Sequence, residues 1–163
     1  MTAGVYDPVR NAWAPVGDLH LAKFTPTLTR LADGGVLAVN DPGTGGLSAE
    51  LFDPSAGTWR VIGAPATTGR LGACAPLPDG DVLITSGATA ERFDPRTETW
   101  RPAAATPYAM WEPTATLLDD GTVLVVGSGS GSSRFAVYDA DEDRWSTPGY
   151  TEHVHAGHTA TRL

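Results

Sequence analysis

The chain is predicted to be all-β, a propeller of four-stranded antiparallel blades. Three features of its 163 residues predict this: an aromatic-Asp phrase closed by Trp, an Asp-Gly phrase opening an apolar run, and a fixed distance between the two. The first phrase stands at Tyr6-Asp7-Pro8 to Trp13, Phe52-Asp53-Pro54 to Trp59, Phe93-Asp94-Pro95 to Trp100 and Tyr138-Asp139-Ala140 to Trp145, with Trp at the seventh position after the aromatic. The second stands at Asp33-Gly34-Gly35-Val36, Asp79-Gly80-Asp81-Val82 and Asp120-Gly121-Thr122-Val123, its Asp twenty positions after the preceding Trp. Trp-to-Trp periods of 46, 41 and 45 positions lie in the range of propeller blades. The length change sits between the valine after Asp-Gly and the next aromatic, at 16, 11 and 15 positions, so one loop absorbs it while the strands keep register.

The elements follow in order. Ala3-Gly4-Val5-Tyr6 and Asn11-Ala12-Trp13 read as a third and a fourth strand, so the chain opens inside a blade. A full unit then begins with a Thr-rich first strand, such as Pro26 to Leu31 or Pro113 to Leu118. Asp-Gly turns it back, because a tight hairpin needs positive φ, which Gly, Asn and Asp adopt at little cost. Val123-Leu124-Val125-Val126 exemplifies the second strand. The third ends at the aromatic-Asp-Pro step, where Pro lacks a ladder donor and fixes φ for a turn. The fourth carries Trp, as in Thr58-Trp59-Arg60 and Thr99-Trp100-Arg101. Full blades are expected over 20–60, 66–101 and 108–146, with a partial blade from 1–15 and 150–163, in one domain spanning 1–163. The closing run His158 to Leu163 parallels Pro26 to Leu31 and is expected to be a first strand, giving fifteen strands or about 3.75 blades. Each Trp is expected to pack between blades, and loss of Trp59 or Trp100 to cost about 3–5 kcal/mol.

Composition narrows the function. With 11 Lys+Arg against 19 Asp+Glu, the chain has no electrostatic footprint for nucleic acid or an anionic membrane. No apolar run approaches the roughly 18–20 residues of a membrane span, and no charged-then-apolar leader follows Met1, so a cytoplasmic protein is expected. Cys74 is the single cysteine, which excludes an intrachain disulfide and reads as a small apolar strand residue.

The second-strand valines running into glycine (Val125-Val126-Gly127, weaker at Thr85-Ser86-Gly87), the aromatic-Asp-Pro turn and the Trp resemble kelch repeats, in the bacterial form similar to the galactose oxidase propeller. The usual glycine doublet is reduced to Gly87-Ala88 and Gly127-Ser128, and to Val39-Asn40 in the first repeat. Kelch propellers have six or seven blades, so the resemblance implies about half a ring. Three readings of this stand open: a piece of a longer chain, a four-blade ring closed by its own ends, or a homodimer whose copies complete a ring. The last is favoured, because an open strand edge is adhesive.

Site residues are sought where the repeats stop agreeing. Just before each first strand stand Lys23, Gly69, Met110 and His155, then Phe24, Arg70, Trp111 and Ala156, then Thr25, Leu71, Glu112 and Gly157. First strands line the channel of a propeller, so these residues are expected to ring its mouth, where a binding site is placed on a repeated frame. The expected function is a module that binds a protein or small ligand there, through Arg70, Trp111, Glu112, His155 and His158 with Lys23 and Phe24. Trp111 and Arg70 are the anchors, of types enriched in hot spots.

The alternative is an enzyme at the same rim, acid-base through His155 and Glu112 or metal-dependent through the histidines. His153 and His155 share a face of an extended strand, and His153, His155 and His158 can offer imidazoles to Zn, Cu or Fe. The same spacing fits a polar loop with solvated imidazoles. No other cofactor is expected. The resemblance further implies a copper radical site, which needs a Cys cross-linked to a Tyr on a neighbouring inner strand, a second Tyr and two His. Cys74 and Tyr108 lie near successive first strands, but one repeat on from Cys74 stands Ala115, and no Tyr directly precedes a channel histidine. Paired-carboxylate, phosphate-loop and nucleophile-elbow patterns are not found. Gly127 to Gly131 reads as a connector, and Asp139 to Asp143 as a solvated acidic turn that a Ca²⁺ ion could also use.

Overall fold

The computed structural model of the chain describes residues 2–21, 26–41, 46–67, 71–128, 132–153 and 158–162. They form fifteen strands and, among the described residues, no helix. β1 (Ala3–Asp7) and β2 (Ala12–Val16) make a first, two-stranded sheet. β3 (Thr27–Arg30), β4 (Val36–Asn40), β5 (Ser48–Asp53) and β6 (Thr58–Ile62) make a second. β7 (Leu71–Pro76), β8 (Val82–Ser86), β9 (Thr89–Asp94) and β10 (Thr99–Ala103) make a third. The fourth holds β11 (Trp111–Leu117), β12 (Val123–Ser128), β13 (Ser133–Asp139), β14 (Arg144–Trp145) and β15 (Gly149–Tyr150). All pairings are antiparallel between consecutive strands, except that β13 takes both β14 and β15 along its outer edge. β3, β7 and β11 contact one another in succession, so the first strands lie side by side.

The seven-residue spacing puts aromatic and Trp directly opposite each other: Tyr6 on Trp13, Phe52 on Trp59, Phe93 on Trp100 and Tyr138 on Trp145. The four ring pairs have centroids 5.4, 5.1, 4.7 and 5.0 Å apart and all are tilted, a favourable arrangement of aromatic quadrupoles. The turn between the two rings is held identically in each copy. Asp7, Asp53, Asp94 and Asp139 accept the amide two residues on, from Val9, Ser55, Arg96 and Asp141. Asn11, Gly57, Glu98 and Asp143 then close the turn at φ of 49°, 66°, 57° and 45°. In the Asp-Gly hairpins only glycine takes positive φ (Gly34, Gly80 and Gly121), while each Asp carboxylate again accepts an amide two residues ahead. Asp therefore acts there by an Asx turn rather than by a left-handed backbone.

The second, third and fourth aromatic pairs each face the sheet before them. Phe52 and Trp59 pack with Ala38 and Leu19 against Ala3 and Val16 of the first sheet. Phe93 meets Leu37, Val39, Ala49 and Leu51 of the second, and Tyr138 meets Leu83 and Ala90 of the third. Phe93 and Tyr138 are fully enclosed and Trp59 nearly so, whereas Trp100 is partly buried. In the third and fourth sheets the smaller ring is the deeper member, and the indole reaches outward: Trp100 Nε1 donates to Gly63 O at 2.6 Å and Trp145 Nε1 to Ala104 O at 2.8 Å. Trp13 departs from the expectation that every Trp lies between sheets. It is 73% exposed and Tyr6 43%, with no other sheet packed on that pair among the described residues.

The closing run also departs. Residues 158–162 are not a paired strand. They still lie along β11, with His158 Nε2 and Thr114 Oγ1 3.0 Å apart, Thr116 Oγ1 donating to Ala160 O at 3.3 Å, and Arg162 paired with Asp119. The fourth strand of the last sheet is divided into β14 and β15, which restores the strand number by another route.

Two buried polar devices join the units. Glu50 accepts the amides of His20 and Leu21, each at 2.8 Å, and its Oε2 lies 3.1 Å from His20 Nδ1. Glu91 likewise accepts the amides of Ala66 and Thr67. Each carboxylate clamps the connection that leads into its own sheet. Elsewhere, buried Arg92 on β9 pairs with Asp79 and Asp81, and its Nη1 donates to Ala140 O of the fourth sheet at 2.8 Å. Arg101 joins the same Asp81 at 2.8 Å.

Phe93→Ala and Trp59→Ala are expected to cost about 3–5 kcal/mol each, read as a shift in the urea midpoint; a loss under about 1 kcal/mol in either would contradict this packing. For Glu50, burial pushes the carboxyl upward, but the two amides and the His20 ring outweigh it and hold the pKa below the ordinary 4.5. Because the folded value is depressed, this contribution is complete above the unfolded value and disappears as pH falls through the folded one. Glu50→Gln should therefore cost about 1–3 kcal/mol near pH 7, and its gap from the parent chain should narrow below pH 4.5. A gap that stays constant on acidification would show that the charge is not what clamps the loop.

Candidate functional site

At the end of the fourth sheet where its connections lie, β11 begins with a bulge. Register shifts between Trp111 and Thr114, as it does in β7 between Leu71 and Cys74. Pro113 has no amide to donate there, and Glu112 takes φ 47°, a left-handed conformation that is uncommon for a side chain of this kind. The Trp111 carbonyl accepts Ser128 Oγ at 3.0 Å, while its indole is 61% exposed. Met110 is buried just ahead of it. Gly127 makes this possible, since a Cβ there would stand 2.9 Å from Met110 Cβ.

On the face that looks toward the third sheet, Arg134 of β13 lies between two tyrosines. Its Cζ is 5.1 Å from the ring centroid of Tyr108, in the connection before β11, and 5.1 Å from that of Tyr150, on β15. Each such contact is worth about 0.5–2 kcal/mol. Arg134 pairs across the ladders with Gly127 on one side and Tyr150 on the other. Its Nε and the Tyr108 hydroxyl are buried without hydrogen-bond partners among the described residues. Burial pushes the Tyr108 hydroxyl up to about 12, with Arg134 opposing, so the phenol keeps its proton at neutral pH.

The same positions differ in the other units. By register, Arg134 corresponds to Ser48 and Thr89, and Ala136 to Glu50 and Glu91. Pro107 stands where His20 and Ala66 give amides to the clamp. The fourth sheet has therefore lost the carboxylate and one of the amides it bound, and has gained a cation held by rings. In the third sheet the corresponding space is an open groove of about 720 Å³, lined by Ala64, Thr67, Thr89, Glu91, Trp100 and Ala105 among others.

Of the residues expected at the rim, Trp111 and Glu112 are adjacent and exposed. His158 is partly buried beside Thr114, on the opposite flank of the sheet from Arg134. His153 is exposed, its carbonyl accepting Thr151 Oγ1 at 2.7 Å. Lys23, Phe24, Arg70 and His155 lie outside the described residues, as does most of the glycine-serine connector. Among the described residues no three His, Cys, Asp or Glu side chains converge as metal ligands. The acidic turn uses its carboxylates internally: Asp139 takes the amides of Asp141 and Glu142, and Asp143 takes the Tyr138 hydroxyl and the Ala104 amide. Tyr108 with Arg134 and Tyr150 was not grouped from sequence. The signal was present along the third strand, in the row Ser48, Thr89, Arg134 and the row Glu50, Glu91, Ala136.

No protein-family model matches the chain, and no curated protein does. Among solved structures it is similar to a fungal alcohol oxidase of the AA5 family in complex with copper, at 19% identity and a TM-score of 0.57 over 74% of this chain. The match spans 29% of that protein, and at this identity it supports a propeller-like all-β fold alone. The donors described here do not fit a copper centre of the kind the resemblance implied. Cys74 sits beside the core opposite Ile84, its thiol pushed up to about 12 by burial, and Tyr108 is engaged with Arg134 instead.

Proposed function

We propose that the four sheets are successive kelch-like propeller blades and that the chain is a binding module, taking a protein or small ligand at the connection end of its blades. One observation carries this reading. At the fourth sheet the repeated frame gives way to an exposed Trp111, a left-handed Glu112 and a ring-held Arg134, a mixture of aromatic anchor and fixed charge suited to recognition.

A screen of small polar metabolites by protein-observed NMR tests it. Binders should shift the Trp111 indole N–H signal and lose roughly tenfold or more in affinity in Trp111→Ala. Binders that perturb only the Asp-Gly hairpin end would overturn the placement. Bound ligand recovered chemically unchanged supports a module, and ligand recovered converted would establish the enzyme alternative.

A second copy is proposed as the partner that completes the ring. The Tyr6–Trp13 face is built like the enclosed pairs yet open. The far face of the fourth sheet presents Leu124, Val126, Phe135 and Val137, all partly buried. In the second sheet the same positions are Leu37, Val39, Ala49 and Leu51, on which Phe93 packs. One open face is thus the mate of the other, and two copies joined head to tail at both ends close a two-fold ring. Light scattering should give twice the chain mass, and Trp13→Asp should return it to one. A parent chain that stays monomeric at about 100 μM, well above the Kd expected of a stable interface, would sink the proposal.

A further inference from the structure

We propose that the Tyr108–Arg134–Tyr150 cluster is a site for an oxyanion, a carboxylate or phosphate group of the ligand, with Arg134 as its anchor and the Tyr108 hydroxyl as a second donor. This rests on the reading of the connection end as the ligand-binding end.

The first ground is charge. In a chain of net charge −8, Arg10, Arg60, Arg92, Arg96, Arg101, Arg144 and Arg162 each face a carboxylate. The Arg134 side chain makes no ion pair or hydrogen bond among the described residues and is instead fixed between two rings. Arg30, which also lacks an ion pair, is exposed and has no such support. A guanidinium is held in a planar, ring-stacked position where a forked acceptor is to be met.

The second ground is the pair of unsatisfied donors. Arg134 Nε and the Tyr108 hydroxyl are buried on the same cluster without acceptors, a condition that ring packing alone leaves unexplained. The third is the repeat. The second and third sheets carry an internal carboxylate, Glu50 or Glu91, at the position where the fourth has Ala136. An arriving oxyanion would supply here the negative charge that the other units build in. Tyr150 is 66% exposed at the end of short β15.

Isothermal titration of the whole chain at low salt tests this, with inorganic phosphate in one arm and succinate in the other. Saturable binding of either probe is expected in the millimolar range or tighter. Phosphate alone would mark a phosphate site and succinate alone a carboxylate site. Arg134→Gln should weaken binding about tenfold or more and Tyr108→Phe about threefold, as loss of a charged and a neutral donor implies. Arg30→Gln should leave it unchanged. Tyr108→Phe keeps the ring and its packing, so it reports even if Arg134→Gln is poorly folded. No binding of either probe up to about 20 mM, an unchanged affinity in Tyr108→Phe, or an equal loss in Arg30→Gln would overturn the proposal. Metabolites that shift Trp111 in a chain that ignores both probes would leave the binding-module reading standing and remove only the anion.

Discussion

The cross-strand aromatic–tryptophan pair is the interaction on which the rest of the structure depends. It joins the third and fourth strands of every sheet in one register, because rings seven residues apart across a tight turn stand directly opposite. A slip of one residue would send the aromatic to the other face. It would also separate the two rings and expose Phe93 or Tyr138, both fully enclosed. Register within each sheet is therefore set by one such pair, and three of the four pairs also make the contact between sheets.

The turn chemistry under those pairs explains why they recur with so little variation. The carboxylate at the start of each turn satisfies loop amides, and the residue closing it must sit at positive φ. Asn11, Gly57, Glu98 and Asp143 differ in type but share that conformation, so the turn is specified more by its opening Asp than by its closing residue. Around this frame the buried charges act over longer range. Arg92 links Asp79 and Asp81 in its own sheet to the carbonyl of Ala140 in the next, and desolvated charges of this kind persist only when every donor is met.

Local periodicity was legible in the sequence and non-local pairing was not. The strands, the Asp-Gly turns and the aromatic-to-Trp step follow from spacing, since each is decided within about ten residues. Burial depth was misjudged where a neighbour decides it. Trp100 is only partly covered and Trp13 stands open, although both share the motif of Trp59. Trp111 and Glu112 could be singled out from sequence because they stand at the start of a first strand, where the repeats stop agreeing. Arg134, Tyr108 and Tyr150 come together across 42 residues of chain, through ladder pairing that no single-strand pattern reveals. Glu50 and Glu91 were overlooked for a related reason: their partners are backbone amides, which leave no mark in sequence.

The open pair at the first sheet carries a lesson about how the units assemble. Tyr6 and Trp13 hold nearly the same centroid distance and tilt as the enclosed pairs, 5.4 Å and 48° against 5.0 Å and 47° for Tyr138 and Trp145. The geometry of the pair is thus fixed by its own hairpin, and burial by a neighbouring sheet is added afterwards. Such units behave like links in a nearly one-dimensional array, whose stability is a sum of local terms and nearest-neighbour interfaces. Among the described residues the two inner sheets have a neighbour on each side and the outer two have one. The Tyr6–Trp13 face is open among those residues, and the far flank of the fourth sheet is partly covered by the closing run along β11. Tyr108, Arg134 and Tyr150 lie on the other flank, against the third sheet, where packing is most complete and a charged group can be held in one orientation.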